Sequence, residues 1–275
     1  MRHVPVSLSV KTQAYPDDEA SLDPKTGFAV HGLTHRGLVR PNNEDSWFAD
    51  STLGLAMVAD GVGGHANGAR ASQGAVQTIA EYVRHASAML GRGGLPAEMR
   101  KSAIARAIGM ANGRLVAANS AIQDVKHQCG TTLVGLWAPH GANSPATVFH
   151  VGDSRMYLLR QGEISALTRD HSAYQQWLDS GGHGTAPPRS YILQALGLSD
   201  VVPDIVSIQA RPGDRFLLCT DGLTNNVADA ELKDELAANR GLDGACERLV
   251  SLGLARGGSD NLTTVVCGFS RMGET

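Results

Sequence analysis

Three apolar stretches follow one another between Ala146 and Leu167: ATVFHVGD, RMYLLRQG and a third at 163–167, with only GDSR joining the first two. Parallel strands need a crossover of a dozen or more residues, so gaps this short force antiparallel hairpins. FAVHGL, GLAMVAD, TTLVGLWA, DIVSIQA, DRFLLCTD and LTTVVCGF share the same β-branched and apolar make-up and are also predicted strands. Between GLAMVAD and TTLVGLWA the period changes. Val76, Ile79, Ala80 and Val83 predict a helix over about 68–88, and Ile104, Ile108, Ala111 and Leu115 another over 97–121, with GRGGLP as the break. Helical patterns return at 228–238 and 243–255, before a last strand at 262–269. Strands in runs and helices in pairs predict an α+β protein, with antiparallel sheets covered by helices. Residues 1–27, with the polar YPDDEASLDPK, read as a flexible N-terminal extension, and residues 28–270 as one domain.

With 275 residues there is enough chain for a sizeable core. A net charge of −3 gives no reason to expect nucleic acid or an anionic membrane as partner. No apolar run approaches a membrane span, and Pro5, Ser7 and Ser9 interrupt the short apolar patch at the N-terminus, so neither a span nor a signal peptide is expected. The four cysteines form no CxxC pair, and none has an arginine six residues later. They read as buried, reduced thiols of a cytoplasmic protein.

The strands end on carboxylates. Asp60 closes GLAMVAD, Asp221 closes RFLLCTD, Asp153 follows FHVG, and Asp260 sits in GGSDN, immediately before LTTVVCGF. A single Asp-Gly after a strand is an ordinary turn signal. The set is different, because carboxylates gathered in a partly dry place repel one another and unpaired buried charge is costly. With Glu44 and Asp45 of RPNNEDS, they could converge at one sheet edge. Hard divalent cations prefer such all-oxygen donors, and a glycine at 61 lets its own carbonyl approach an ion, so a magnesium or manganese centre is expected, and not zinc.

GLVRPNNEDSW (37–47), MVADGVGGHANG (57–68), CGTTLVG (129–135), HVGDSRMYLLRQGEISALTRDHS (150–172), ILQALG (192–197), GDRFLLCTDGLTN (213–225) and GGSDNLTTVV (257–266) together resemble the bacterial form of the metal-dependent, type 2C protein serine/threonine phosphatases, in that family's order. The resemblance implies a two-sheet antiparallel β-sandwich flanked by helix pairs, four layers αββα, with a dinuclear Mn2+ or Mg2+ site at one end. It implies that Asp60 bridges both ions, that the Gly61 carbonyl serves the first, and that Asp221 and Asp260 serve the second. Glu44 and Asp45 would line the site, and Asp153 would hold a third, weaker ion. Arg40 would bind phosphate and His65 would act as general acid. Phosphorylated Ser/Thr proteins and a cognate Ser/Thr kinase are the implied partners, and a monomer is expected.

Two departures stand out. Ala69 occupies a position that is often acidic in the family, and AYQQWLDSGGHGTAPPRSY, in place of a longer flap, reads as an irregular loop. Gly61, Gly63 and Ala66 also match a dinucleotide-binding pattern with Glu81 twenty residues on, but Glu81 falls in a helical run, where a ribose-binding acid should end a second strand. An inert relative acting only as a binding module is the other alternative. The presence of every expected carboxylate opposes it.

Overall fold

A computed structural model describes residues 21–23, 27–63, 66–90, 95–124, 128–138, 145–238 and 241–270. In chain order the strands are β1 Ser21–Asp23, β2 Phe28–His35, β3 Asp45–Asp50, β4 Leu55–Val62, β5 Gly130–Thr131, β6 Leu133–Trp137, β7 Ala146–Val151, β8 Arg155–Arg160, β9 Glu163–Ala166, β10 Asp204–Ile208, β11 Arg215–Cys219 and β12 Leu262–Phe269. The helices are α1 Ala66–Leu90, α2 Ala97–Ser120, α3 Ala173–Asp179, α4 Asp221–Thr224, α5 Asp229–Ala237 and α6 Gly241–Ala255. One sheet runs β1-β2-β12-β11-β8-β9 and the other β10-β7-β6-β4-β3, with β5 paired to β4; every pairing is antiparallel.

Strand alternation sorts the side chains into three apolar layers. Ala56, Val58, Val134, Leu136, Met156, Leu158, Phe216, Leu218 and Val265 meet between the sheets. Their neighbours Leu55, Met57, Leu133, Trp137 and Phe149 face Val76, Ile79 and Val83 of α1 and Ile104, Ile108 and Leu115 of α2. On the far side, Tyr157, Leu217 and Val266 face Leu232 and Leu236 of α5 and Leu249 of α6. This is the expected four-layer sandwich. Gly135, paired directly with Phe149 across β6 and β7, leaves room for that ring: a Cβ there would lie 2.1 Å from it.

Besides the one-turn α4, β1, β3 and α3 went unread in the sequence. β3 (DSWFAD) is polar at both ends, and β1, paired to β2, lies inside the stretch expected to be irregular. The short flap, expected to be an irregular loop, opens instead with α3. Ser172 caps it by accepting from the Gln175 N–H at 3.2 Å, and Tyr174 and Trp177 stack at 5.5 Å. Cys219, Cys246 and Cys267 are free and buried, and Cys129 is free and partly buried. Among the described residues no helix is long and apolar enough to cross a membrane.

Antiparallel pairing also decides where the strand ends fall. The end of β11 lies beside the start of β12, and the end of β7 beside the start of β6 and hence the end of β4. Asp221, Asp260, Asp153 and Asp60 are therefore delivered to the same end of the sandwich.

Gly135→Ala should cost about 1–3 kcal/mol by overpacking. Phe149→Leu, destabilising alone, should partly relieve it. A double-mutant cycle in urea checks this; strict additivity would mean that the two positions do not share the space.

Candidate active site

A cavity of about 400 Å³ opens at that end, lined by Arg40, Glu44, Asp60, Gly61, Asp153, Asp221 and Asp260, with Ser190 and Ile192 reaching in from the flap segment. Of the site residues singled out in the sequence, every described one except Asp45 lines it. His65 lies outside the described residues. Asp45 sits one step behind: β3 and β4 pair with Asp45 directly opposite Asp60, and Asp45 is buried, its Oδ2 accepting from Thr220 Oγ1 at 2.9 Å and Thr263 Oγ1 at 2.6 Å.

A polar scaffold that the sequence did not announce aims these groups. Asn261 accepts from the Glu44 N–H at 2.8 Å and donates to the carbonyls of Arg36 and Asn42 at 2.8 and 2.9 Å, while its own N–H bonds Asp260 Oδ1 at 2.9 Å. One side chain thus ties the 36–44 loop to the turn before β12. The Asp60 backbone is held on both sides, its N–H donating to Thr132 Oγ1 and its carbonyl accepting from the Thr132 N–H and Thr131 Oγ1, each at 2.9 Å. Thr132 Oγ1 also meets Ser154 Oγ at 2.7 Å, beside Asp153. Thr and Ser are common and carry no spacing signal, which is why these partners were missed. The CGTTLVG and GDSR blocks that contain them were the available hint.

Glycines make room for the acid. A Cβ on Gly68, in the first turn of α1, would lie 2.1 Å from Glu44 Oε2, and one on Gly61 would strike the Gly68 carbonyl at 2.2 Å. The first turn of α1 holds no acidic residue of its own. The carboxylate near that helix start comes from Glu44, across the chain, where the helix dipole favours negative charge.

Burial, then the charge of their neighbours, pushes the carboxyls of Asp45, Asp60, Asp153 and Asp221 upward. Asp60 is raised well above the usual range by burial and then by Asp45, and Asp221 is raised by burial and then by Asp260. Burial, with Asp221 adding to it, raises Asp45 and Asp153 to about 7. Water reaches the outer atoms of Asp60 and Asp221 from the cavity, which softens these shifts without reversing them. Asp45 Oδ1 and Asp153 Oδ1 are buried with no hydrogen-bond partner. Among the described residues the one cationic side chain at the cavity is Arg40, which is half exposed and bonds Asp260 Oδ2 through Nη2 at 2.6 Å. One guanidinium does not neutralise so many carboxylates. Orphaned oxygens, raised carboxyls and an all-oxygen donor set fit hard divalent cations.

A profile of the protein phosphatase 2C family matches residues 34–264. The serine/threonine protein phosphatase PstP of Mycobacterium tuberculosis H37Rv is 39% identical over 237 residues, which cover 84% of this chain and 43% of that protein. The chain therefore spans less than half the length of that relative. The serine/threonine phosphatase Stp of Listeria welshimeri is 32% identical over 85% of this chain and 92% of its own. Among solved structures, the catalytic domain of PstP in complex with 2 manganese ions superposes with a TM-score of 0.74 at 34% identity, over 89% of this chain and 99% of that one.

A carboxyl with a raised folded pKa holds its proton more tightly in the folded protein than in the unfolded one. Its contribution is complete below the unfolded value, near 4, and is lost as pH rises through the folded value, about 7 for Asp45 and Asp153. Chelator-treated protein should therefore lose stability over that window. Asp60→Asn, neutral and isosteric, should recover more than about 1 kcal/mol at pH 8 and less at pH 5. Denaturant unfolding at both pH values checks it; equal effects would mean that repulsion at Asp60 is negligible.

Proposed function

Because the chain belongs to the protein phosphatase 2C family, we propose that it hydrolyses phosphoserine and phosphothreonine in proteins, at the carboxylate cavity, and reverses the work of a cognate Ser/Thr kinase. The single observation that carries this reading is the convergence of Asp60, Asp153, Asp221 and Asp260 with Arg40 around one cavity. The neighbour that holds manganese makes Mn2+ the first cation to test, with Mg2+ the alternative. The setting is taken as cytoplasmic and the active form as a monomer.

Asp60, the Gly61 carbonyl, Asp221 and Asp260 are the residues that would hold two cations, with Glu44 lining the centre, Asp45 standing behind Asp60 and Asp153 serving a third. Bound there, the cations would supply a water of lowered pKa and neutralise phosphoryl charge. The protein's own groups do the rest. Asp45, locked by Thr220 and Thr263, adds charge behind Asp60 without entering the cavity. Arg40 keeps N–H donors beyond the one given to Asp260, and its planar fork suits two phosphate oxygens. The alkoxide of serine or threonine is a poor leaving group, and His65 is assigned the proton that it needs. Ser190 and Ile192 border the approach from the flap side.

With added Mn2+ the chain should hydrolyse a phosphothreonine peptide and p-nitrophenyl phosphate, and exhaustive chelation should abolish both activities. Turnover that survives chelation would defeat the reading, and cation binding without turnover would leave a binding module. Asp60→Asn and Asp221→Asn should each lower kcat by about a hundredfold or more. Arg40→Ala should act chiefly on KM. His65→Ala should lower kcat less for the phenolic than for the alkyl phosphate, and equal losses would remove His65 as the acid.

A further inference from the structure

A second cavity, about 530 Å³, lies away from the carboxylates and is lined from β7, β10, β8 and β9. Its wall holds a cluster that the proposed chemistry does not use. On β7, Ala146 and Val148 belong to the apolar layer between the sheets, and His150 continues the same face. His150 is 1% exposed, and neither of its ring nitrogens has a hydrogen-bond partner. Leaving an imidazole buried and unsatisfied is costly, so the ring requires an explanation.

Asp204 is paired directly opposite His150 in the β10–β7 ladder, with Oδ2 3.8 Å from His150 Nδ1, too long for a hydrogen bond. His171 completes the group, its Nε2 3.1 Å from the same oxygen and its ring centroid 4.7 Å from that of His150. One ligand atom from each residue lies within 4.8 Å of the other two. In a four-coordinate zinc-type site with bonds of about 2.0–2.1 Å, neighbouring donors lie about 3.3 Å apart, and the two distances here bracket that value. We infer that His150, His171 and Asp204 form a second cation site, for a borderline first-row ion such as Zn2+, with its fourth position open to the cavity.

The donors are right for such an ion and wrong for Mn2+ or Mg2+. Two imidazoles and one carboxylate select zinc-like cations, whereas the carboxylate centre is all oxygen. Burial, then the neighbouring His150, holds the pKa of His171 below its usual value, which keeps its lone pair available. Arg155, also at the wall, is committed to Asp170 through two bonds of 2.8 and 2.6 Å, so it does not compete for Asp204.

The site also touches the carboxylate centre through one turn. His171 grips Gly152 twice: its N–H donates to the Gly152 carbonyl at 2.7 Å, and its Nδ1 accepts from the Gly152 N–H at 3.2 Å. That second bond leaves the ring proton on Nε2, facing Asp204. A cation on Nε2 moves the proton to Nδ1. The ring stays neutral, but Nδ1–H now faces the Gly152 N–H, donor against donor, and the bond is lost. The residue after Gly152 is Asp153, so filling the second site loosens the turn that carries an inner carboxylate.

The test uses the full, chelator-stripped chain with Co2+ as optical probe and Zn2+ alone in calorimetry. Wild type should show the strong visible bands of four-coordinate Co2+ with nitrogen ligands. Asp60→Asn should keep them, whereas Asp204→Asn should lose them and bind Zn2+ more than about tenfold more weakly. His171→Gln gives a second reading should Asp204→Asn fail to fold. Zn2+ should also speed hydrogen exchange at the Gly152 amide in wild type and not in Asp204→Asn. Absent bands in wild type, bands that survive in Asp204→Asn or His171→Gln, or bands lost in Asp60→Asn would overturn the site; exchange unchanged by bound Zn2+ would overturn its link to Asp153. None of these measurements reads phosphatase activity, so the second site stands or falls apart from the proposed reaction.

Discussion

Mutual repulsion among carboxylates that the backbone forces together is the constraint on which the arrangement turns. Asp45 and Asp60 face each other across two paired strands, and Asp221, Asp260 and Asp153 are brought to the same end by the antiparallel order of both sheets. In an apolar sandwich such a cluster is costly. The surroundings hold it in place and do not neutralise it. Hydroxyls of Thr220 and Thr263 hold Asp45, backbone and threonine groups fix Asp60, and one arginine reaches Asp260. A fold that gathers charge in this way keeps a local instability at its working end, as functional sites often do.

Much of the architecture was legible because it is written in period and gap length. Residues 146–167 could only form antiparallel hairpins, and the stripes Val76–Val83 and Ile104–Leu115 could only be helices over an apolar face. β3 was not legible: DSWFAD alternates weakly, and its place is set by pairing with β4, a contact between segments that local pattern does not encode. α3 was hidden by the glycines and prolines that follow it, although Ser172 offered a cap. At the site, the carboxylates stood out as strand terminators, so their common location could be anticipated. The bonds made by Asn261, Thr132 and Ser154 could not, since those side chains act through distances that exist only once β4, β6 and β12 are assembled.

The Gly152–Asp153 turn lies between the carboxylate centre and the cluster of His150, His171 and Asp204. Ser154 links it through Thr132 to the backbone of Asp60, and His171 grips it from the opposite side, backed by Asp204. Arg155, next along, is pinned to Asp170, so the segment is tied at successive residues to partners in different layers.

Strand β12 sits in the middle of its sheet, hydrogen-bonded to β2 on one side and β11 on the other, yet it is the last of the described strands to be synthesised. While the chain is being made, β2 and β11 have no common neighbour, and both present open edges of the kind that pair with other molecules. Asp260 and Asn261 arrive only with that strand. The carboxylate pocket is therefore completed only once residues 260–269 have been made, and a nascent polypeptide halted before residue 260 would lack Asp260 and leave open strand edges.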